Sequence, residues 1–208
     1  MRAPWLFICR LFSFLYTRLG FYKAWSLLYR AVWERKFKGV KISTFASMEL
    51  LVKFVGGGGR WRGDSWKALW DAISSPQRVQ QIFSGVEPQP ETDLDCDDYM
   101  SFTAAAIEKS LAMGVMVEQH LLNVWCLTVM WMKGWKATGH NVVLLEYYSP
   151  EEDAVMYAYM DYAGPSVKKK TKQEVVDLVI QKYGGKDSVG LSWCRARPDL
   201  TPVEAHWG

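Results

Sequence analysis

Two strand-like runs of apolar residues, separated by a short polar segment, form the clearest pattern in the chain. The first run covers residues 139–148 and the second covers residues 154–162, with Pro150 in the polar segment between them. Valine and tyrosine recur in both runs, and Gly164-Pro165 follows the second, which is typical of strands bounded by turns. The pattern therefore predicts an antiparallel β-hairpin.

The register of this hairpin decides which side chains meet. Directly opposed residues in an antiparallel pair have position numbers with a constant sum. A turn centred between Pro150 and Glu151 therefore places His140 opposite Asp161, on one face of the sheet. Such a pair suits a carboxylate that orients an imidazole. The prediction depends on an unbulged turn, because a slip of one residue sends the two side chains to opposite faces.

A third run, residues 121–132, is almost entirely apolar and predicts a central strand that is buried on both faces. A turn centred at residues 135–136 would place Trp131 opposite His140. The indole could then wall a site around the imidazole or donate its N–H to it, and ordinary core packing is the alternative. One more strand is predicted at residues 189–194, followed by an extended tail.

Apolar residues at helical spacing predict several helices. The predicted helices run from Cys96 to Gly114 and over residues 66–73, 77–83 and 173–183. Ser75-Pro76 marks the start of one of them, because proline is favoured at the first helical position. Residues 39–55 fit either a strand or a helix. Residues 56–59 are all glycine and predict a hinge or a flexible loop.

Cys96 lies where a polar loop meets a predicted helix, at the helix N-terminus. Unsatisfied backbone N–H groups there favour a thiolate and can bind the oxyanion that forms when a thiolate attacks a carbonyl. An inert buried cysteine is the alternative. Among the three histidines only His140 lies in a strand-like context, whereas His120 and His206 fit the surface. Cys96 is therefore a candidate nucleophile and His140 its candidate base.

Four aspartates surround Cys96 in the sequence, at positions 93, 95, 97 and 98. Negative charge raises the pKa of a thiol and so opposes the effect of the helix terminus. We expect Asp97 and Asp98 to satisfy N–H groups of the first turn, while His140 supplies the activating positive charge. A calcium site at Asp93–Asp98 is another use of these carboxylates, although the Asp-x-Asp-x-Asp-Gly pattern is absent.

Three motifs, in this order, resemble the transglutaminase-like superfamily of cysteine enzymes, and most of all its small bacterial and phage cysteine proteinases. They are Asp-Cys-Asp-Asp-Tyr at 95–99, Gly-His-Asn-Val at 139–142 and Tyr-Met-Asp-Tyr at 159–162. The resemblance covers roughly residues 60–165. It implies that Cys96 is the nucleophile, His140 the general base and acid, and Asp161 the orienting residue. Leu94 stands where such proteins commonly have glycine, so the turn into the helix is expected to differ in shape.

The expected fold is α+β, with the nucleophile helix packed on an antiparallel sheet in a papain-like or transglutaminase-like core. We expect a helical extension over residues 1–55 and a transglutaminase-like domain over residues 56–208. The expected activity is hydrolysis of a peptide or protein amide by a Cys-His-Asp triad, without a metal ion or cofactor. Transfer of the acyl group to an amine is an alternative. A non-catalytic structural or partner-binding protein, for instance of a phage particle, is another.

The first 41 residues differ from the rest in charge and composition. Nine basic residues and only Glu34 give them a charge of +8, whereas the remainder carries −5. Residues 4–37 interleave aromatic side chains with arginine and lysine, which suits a helix in a membrane interface. No apolar stretch reaches the roughly 18–20 residues of a spanning helix. The favoured interpretation is a helical hairpin, bent at Gly20, that packs against the domain or a partner subunit, because apolar helix surface more often buries against protein than against lipid.

The remaining features exclude several classes of site. The cysteines at 9, 96, 126 and 194 form no Cys-x-x-Cys pair, so neither a disulfide framework nor a zinc site is indicated. A reducing, cytoplasmic location is expected, with association with a membrane or a virion left open. Arg10 interrupts the first apolar run, which argues against a cleavable signal peptide. The lysine-rich residues 168–172 predict a solvated helix start, and no nucleic-acid-binding motif accompanies them.

Overall fold

The computed structural model describes residues 2–18, 37, 39–58, 75–85, 94–118 and 120–207. Among these residues the chain forms five α-helices, a short π-helical turn and one sheet of six strands. The α+β class predicted from the sequence is confirmed. The predicted helix at residues 66–73 lies outside the described residues, as do residues 19–36 and Asp93.

The sheet is antiparallel throughout, with the strand order β4-β3-β2-β1-β5-β6. The strands are β1 Leu121–Lys133, β2 Lys136–Ser149, β3 Ala154–Asp161, β4 Gly164–Pro165, β5 Ser188–Ala196 and β6 Pro202–Trp207. The predicted hairpin forms β2 and β3, and the apolar run of residues 121–132 forms β1 in the interior of the sheet. The strand predicted at residues 189–194 is β5, beside which the tail returns as β6.

The described helices are α1 Arg2–Arg18, α2 Met48–Gly58, α3 Pro76–Phe83, α4 Cys96–Ala112 and α5 Lys172–Val179. Three of them, α3, α4 and α5, begin within one residue of the predicted positions, whereas the bounds of α1 and α2 were not predicted. Ser75 caps α3 with its side chain, and Thr171 and Glu174 form a capping box at the start of α5. A π-helical turn, Ile180–Gly184, continues α5 and was not predicted.

Helices cover both faces of the sheet, so its central strands are buried on both faces. On one face the core includes Phe102, Ala106 and Ile107 of α4 with Val143 and Leu145 of β2. On the other face it includes Val175, Val176 and Val179 of α5 with Val142 and Leu144 of β2. Successive residues of β2 therefore alternate between two cores. Each fully buried side chain of this kind contributes about 1.5–3 kcal/mol, so β2 is central to the stability of the fold.

The predicted register of the β2–β3 hairpin is wrong by two residues. Ser149 lies opposite Ala154, which makes the turn longer than expected and places His140 diagonal to Asp161 instead of opposite. The longer turn is possible because Asp153 adopts a left-handed backbone, with φ of 46°. A slip of two residues leaves both side chains on the same face, so the predicted face is correct.

The β1–β2 turn is tighter than predicted. Lys133 pairs with Lys136, so Gly134 and Trp135 alone form the turn, and Gly134 has φ of 61°. Turns of two residues between strands need a left-handed backbone, which glycine adopts without strain.

The tighter turn changes the neighbours of His140. Val129 lies opposite His140, and Trp131 lies opposite Thr138. The predicted pairing of Trp131 with His140 is therefore wrong. As in the other hairpin, the shift is two residues, so the indole and the imidazole still share a face.

Helix α2 settles the segment that fitted either a strand or a helix. It buries Leu51 and Val55 in the core on the α4 side of the sheet. Gly56 to Gly58 form its last turn and not the predicted hinge, because burial of the apolar side outweighs the low helix propensity of glycine. Gly59 lies outside the described residues, and the division at residues 55 and 56 stays a prediction.

The close packing of the π-helical turn on β1 can be tested at Gly184. A Cβ atom there would lie 2.6 Å from Trp131 Nε1 and 2.5 Å from Ser188 Oγ. Trp131 is only 2% exposed and has no room to move away. We expect Gly184→Ala to lower the free energy of unfolding by about 2 kcal/mol in urea denaturation.

Gly56→Ala is the matched control, because no atom lies within 4 Å of a Cβ at that position. It should stabilise the protein by up to about 1 kcal/mol through the better helix propensity of alanine. Equal effects of the two substitutions would contradict tight packing at Gly184.

Candidate active site

The N-terminal half of β2 lacks a neighbouring strand on one side. β3 pairs with β2 only from Val143 onward and ends at Asp161. Residues 136–142 therefore form an open edge within the described part of the chain. The first turn of α4 lies at this edge, where Cys96 contacts Asn141. The candidate site is thus the meeting point of a helix N-terminus and an unpaired strand edge.

Two cavities meet at this edge, and Cys96 and His140 line both of them. The smaller cavity, of about 110 Å³, is also lined by Asn141 and Asp161. Most of its remaining wall is apolar and includes Val55, Phe83, Leu94 and Tyr99. The larger cavity, of about 600 Å³, is lined on its other side by Lys133, Lys136 and Thr138. The three residues predicted from the sequence therefore line a common cavity.

Asp95 fixes the start of α4 one residue before Cys96. Its carboxylate accepts hydrogen bonds from the backbone N–H groups of Asp97 at 3.1 Å and Asp98 at 3.4 Å, a cap worth about 1 kcal/mol. The sequence-based prediction expected Asp97 and Asp98 to satisfy N–H groups of this turn and did not name Asp95 as the cap. A capping side chain precedes the helix and reaches forward to its free N–H groups. Cys96 is thus the first helical residue, and it is half-buried.

Asn141 holds the sulfur of Cys96. Its side-chain amide donates a hydrogen bond to Cys96 Sγ at 3.5 Å, and its backbone N–H points to the same sulfur. Thr128, opposite Asn141 on β1, donates its hydroxyl to Asn141 Oδ1 at 2.6 Å. This bond turns the amide nitrogen towards the thiol.

His140 reaches the site from the other side of the sheet. Its side chain is 7% exposed and packs against Tyr183, with 3.7 Å between the ring centroids and 35° between the ring planes. Asn141, the next residue of β2, faces α4, so the two consecutive side chains approach the open edge from opposite faces. Within the described structure no hydrogen bond joins His140 to Cys96 or to Asp161.

Both carboxylate oxygens of Asp161 accept hydrogen bonds. Oδ1 accepts the backbone N–H of Ala163 at 2.8 Å, and Oδ2 accepts the Lys182 ammonium at 2.6 Å and the Tyr183 hydroxyl. Lys182 and Tyr183 belong to the π-helical turn, a feature often found at functional sites. Because Tyr183 also packs against His140, Asp161 is linked to the imidazole through Tyr183 and not by a hydrogen bond of its own.

Burial raises the pKa of the Cys96 thiol well above its ordinary value, and the charges of Asp97 and Asp95 raise it further. The two N–H groups of Asn141 act in the opposite direction. Their effect is the smaller one, so the thiol is protonated at neutral pH.

Burial also lowers the pKa of His140 to about 4, an effect that Asp161 opposes and Lys182 increases. The imidazole is therefore neutral at pH 7. The predicted positive charge on His140 is not present in the resting site, because burial penalises the charged imidazole more than Asp161 favours it. The site rests as a neutral thiol beside a neutral imidazole.

The described carboxylates around Cys96, which do not include Asp93, fit calcium poorly. Asp95, Cys96 and Asp97 place one ligand atom each within 4.8 Å of one another. Calcium takes roughly six to eight oxygen ligands, whereas one member of this group offers sulfur. In addition, the Asp95 carboxylate already accepts two helix N–H groups. These aspartates stabilise the helix start and raise the pKa of the thiol.

No family model matches the sequence, and neither a curated protein nor a solved structure matches it. The resemblance to the transglutaminase-like superfamily stays a prediction that rests on three short motifs. Support for a function comes from the geometry of the site.

Four residues of the site were not predicted from the sequence. The sequence could have indicated Asn141 and Thr128, because each is a polar residue within an apolar strand. It gave no indication that Lys182 and Tyr183 belong to the site. A regular helical period places Tyr183 on the apolar side of α5, and only the π-helical turn brings both residues to Asp161.

The buried neutral imidazole should make folding stability depend on pH. The unfolded chain binds a proton at His140 near pH 6.5 and the folded chain only near pH 4, so the folded state loses stability as the pH falls through this window. Between pH 7 and pH 4 the loss should be about 3 kcal/mol smaller in His140→Gln than in the wild type. Urea denaturation at each pH measures it.

His120→Gln is the control for this titration, because His120 is exposed. It should follow the wild-type pH profile. Parallel profiles for His140→Gln and the wild type would show that His140 is not held neutral by burial.

Removing the negative charge of Asp97 should make Cys96 more reactive. A lower thiol pKa increases the thiolate fraction, so Asp97→Asn should speed alkylation of Cys96 by iodoacetamide at pH 8 by about three- to tenfold. Mass spectrometry gives the rate at each cysteine. Glu151→Gln, in the exposed β2–β3 turn, is the charge-matched control and should leave the rate unchanged. An unchanged rate in Asp97→Asn contradicts the electrostatic assignment.

Proposed function

We propose that the protein is a thiol-dependent amide hydrolase in which Cys96 is the nucleophile and His140 the general base and acid. The observation that carries the proposal is that Cys96 begins α4 and lines the same two cavities as His140. A thiol at a helix N-terminus beside an imidazole is suited to acyl transfer. The resemblance adds a papain-like arrangement of the nucleophile helix on the antiparallel sheet.

The reaction has two stages. The imidazole of His140 takes the thiol proton while Cys96 Sγ forms a bond to the carbonyl carbon of the substrate amide. His140 then gives this proton to the amide nitrogen, the C–N bond breaks, and the amine leaves an acyl-enzyme. Water, which loses a proton to His140, attacks the thioester. The C–S bond then breaks, the carboxylic acid is released, and His140 returns the proton from water to the sulfur of Cys96.

A neutral resting pair suits this order of events. The raised thiol pKa and the lowered imidazole pKa disfavour a preformed pair of thiolate and imidazolium, so proton transfer accompanies the attack. The imidazole must come within about 3 Å of the sulfur for this step. In this proposal, a substrate that fills the cavity at the open edge brings the imidazole and the sulfur to this distance.

The first turn of α4 supplies donors for the oxyanion. The backbone N–H of Cys96 is one of the first helical N–H groups, which have no acceptor within a helix. Asn141 Nδ2 lies 3.5 Å from the attacking sulfur and offers a second donor. One such donor typically contributes about 10²–10³-fold to kcat.

Asp161 is a positioning residue in this mechanism. It accepts the hydroxyl of Tyr183, whose ring packs against His140 and fixes the plane of the imidazole. The charge of Asp161 also favours the imidazolium that forms during attack. Lys182 limits this effect, because its ammonium neutralises part of the Asp161 charge.

Two alternatives each have an observation in their favour. The 600 Å³ cavity beside Cys96 has space for an amine in place of water, which would make the protein a transglutaminase. The protonated thiol and the lack of a Cys96–His140 hydrogen bond in the described structure favour a non-catalytic role.

Cleavage of a diverse peptide library tests the proposal. New peptide N-termini, identified by mass spectrometry, should form with the wild type and not with Cys96→Ser. On a peptide found in this way, His140→Gln should lower kcat by about 10²-fold or more. Cys126→Ser is the matched control, because Cys126 is buried and lines neither cavity.

A fluorescent primary amine, added to the same reaction, separates hydrolysis from transamidation. Transamidation would attach the amine to the acyl product in a Cys96-dependent manner. If the wild type and Cys96→Ser yield the same termini and no amine is attached, the protein is not a thiol-dependent acyl-transfer enzyme.

A further inference from the structure

Helix α1 packs on the sheet and leaves most of its large apolar side chains on the side that faces away from the sheet. Its inner side carries Ser13, which is fully buried and bonds the Ser192 hydroxyl of β5 and the Met130 sulfur of β1. Cys9, one turn earlier, is buried against Met132. Leu6 also packs against this cluster, so the side chains that hold α1 to the sheet are one leucine, one cysteine and one serine.

The outer side of α1 is apolar and exposed within the described structure. Phe7 and Phe12 are 68% and 67% exposed, the largest values among the described hydrophobic side chains of this helix. Trp5, Ile8 and Leu11 are 42%, 40% and 46% exposed. Residues three and four positions apart share a side of a helix, so Phe7, Ile8, Leu11 and Phe12 form one continuous stripe. A helix that faces water shows the reverse pattern, with its apolar stripe against the core.

The sequence around this stripe is basic, although Asp187 lines the cavity beside Trp5. Arg10 is exposed, and α1 contains no acidic residue. The first 41 residues carry a charge of +8, so the stripe belongs to the most positive part of the chain. Aromatic and aliphatic side chains beside arginine are typical of helices that lie in the interface of an anionic bilayer.

We propose that the outer side of α1 binds the surface of an anionic lipid bilayer, with the helix axis parallel to the membrane. No described helix is long and apolar enough to cross a membrane, so surface attachment is the mode that α1 supports. Its inner side stays bonded to the sheet through Ser13. Phe7 and Phe12 enter the acyl-chain boundary, and Arg10 meets lipid phosphates.

The β1–β2 turn extends this membrane-facing surface. Trp5 Nε1 donates to the backbone oxygen of Trp135 at 2.6 Å, and Trp135 is 54% exposed. Tryptophan favours the membrane interface, where its ring is partly buried and its N–H stays hydrated. Lys133 and Lys136, on either side of the turn, line the larger cavity at Cys96. Bilayer binding therefore holds that cavity close to the lipid surface.

Co-sedimentation of the full chain with lipid vesicles tests the proposal. Vesicles of phosphatidylcholine with one quarter phosphatidylglycerol should bind the wild type, and pure phosphatidylcholine vesicles should bind it several-fold more weakly. Raising the salt from 0.1 M to about 1 M should weaken binding, because it screens the basic charges. Phe7→Ser/Phe12→Ser should reduce binding at least about tenfold, and Arg10→Gln about fivefold.

Val117→Ser/Leu122→Ser is the matched control. Both side chains are exposed, 81% and 51%, and lie near the end of β1 away from α1. This variant should bind vesicles like the wild type. Thermal unfolding of each variant checks that the fold is kept, since the substituted side chains are already exposed.

Three results would overturn the proposal. The first is a wild type that fails to bind anionic vesicles at low salt. The second is equal binding by the α1 double variant and the control variant. The third is a wild-type dimer in light scattering that the α1 double variant alone dissociates, without vesicle binding, since a second copy would then cover the stripe.

Discussion

The early end of β3 is the constraint on which the candidate site depends. β2 is buried between two helical layers, yet its residues 136–142 have no partner strand on one side within the described chain. Asn141 belongs to this open segment, and its side-chain amide donates a hydrogen bond to Cys96 Sγ at 3.5 Å. Its backbone N–H also favours the thiolate. A residue at the open edge of the sheet therefore positions the thiol at the start of α4.

Burial, more than charge pairing, sets the protonation of the site. The charges that would favour a thiolate and an imidazolium are already used by the fold. Asp95 caps α4 and offsets the positive end of its dipole next to Cys96. Lys182 pairs with Asp161 and weakens the field that Asp161 exerts on His140. Neither Cys96 nor His140 therefore carries a charge in the resting site. The proposed reaction depends on substrate binding to bring the thiol and the imidazole together.

Apolar periodicity was sufficient to locate the strands, because a strand that is buried on both faces has a distinctive composition. It could not locate the turns, since these depend on local backbone conformations such as the left-handed Gly134 and Asp153. Side chains in a strand alternate with a period of two, so a register error of two residues does not change the face on which they lie. His140 and Asp161 were therefore placed correctly on one face although their register was wrong. Cys96 was predictable from the change from polar loop to helix. The π-helical turn was not, because one extra residue in a helix leaves no mark in composition.

The half-buried, protonated state of Cys96 also bears on its chemical durability. Peroxides and other oxidants react with the thiolate and only slowly with the thiol. Cysteines with a low pKa and an exposed sulfur are therefore the first to form sulfenic acid. Cys96, with its pKa raised by burial and by Asp95 and Asp97, belongs to the opposite class. It resists oxidation while the site is empty.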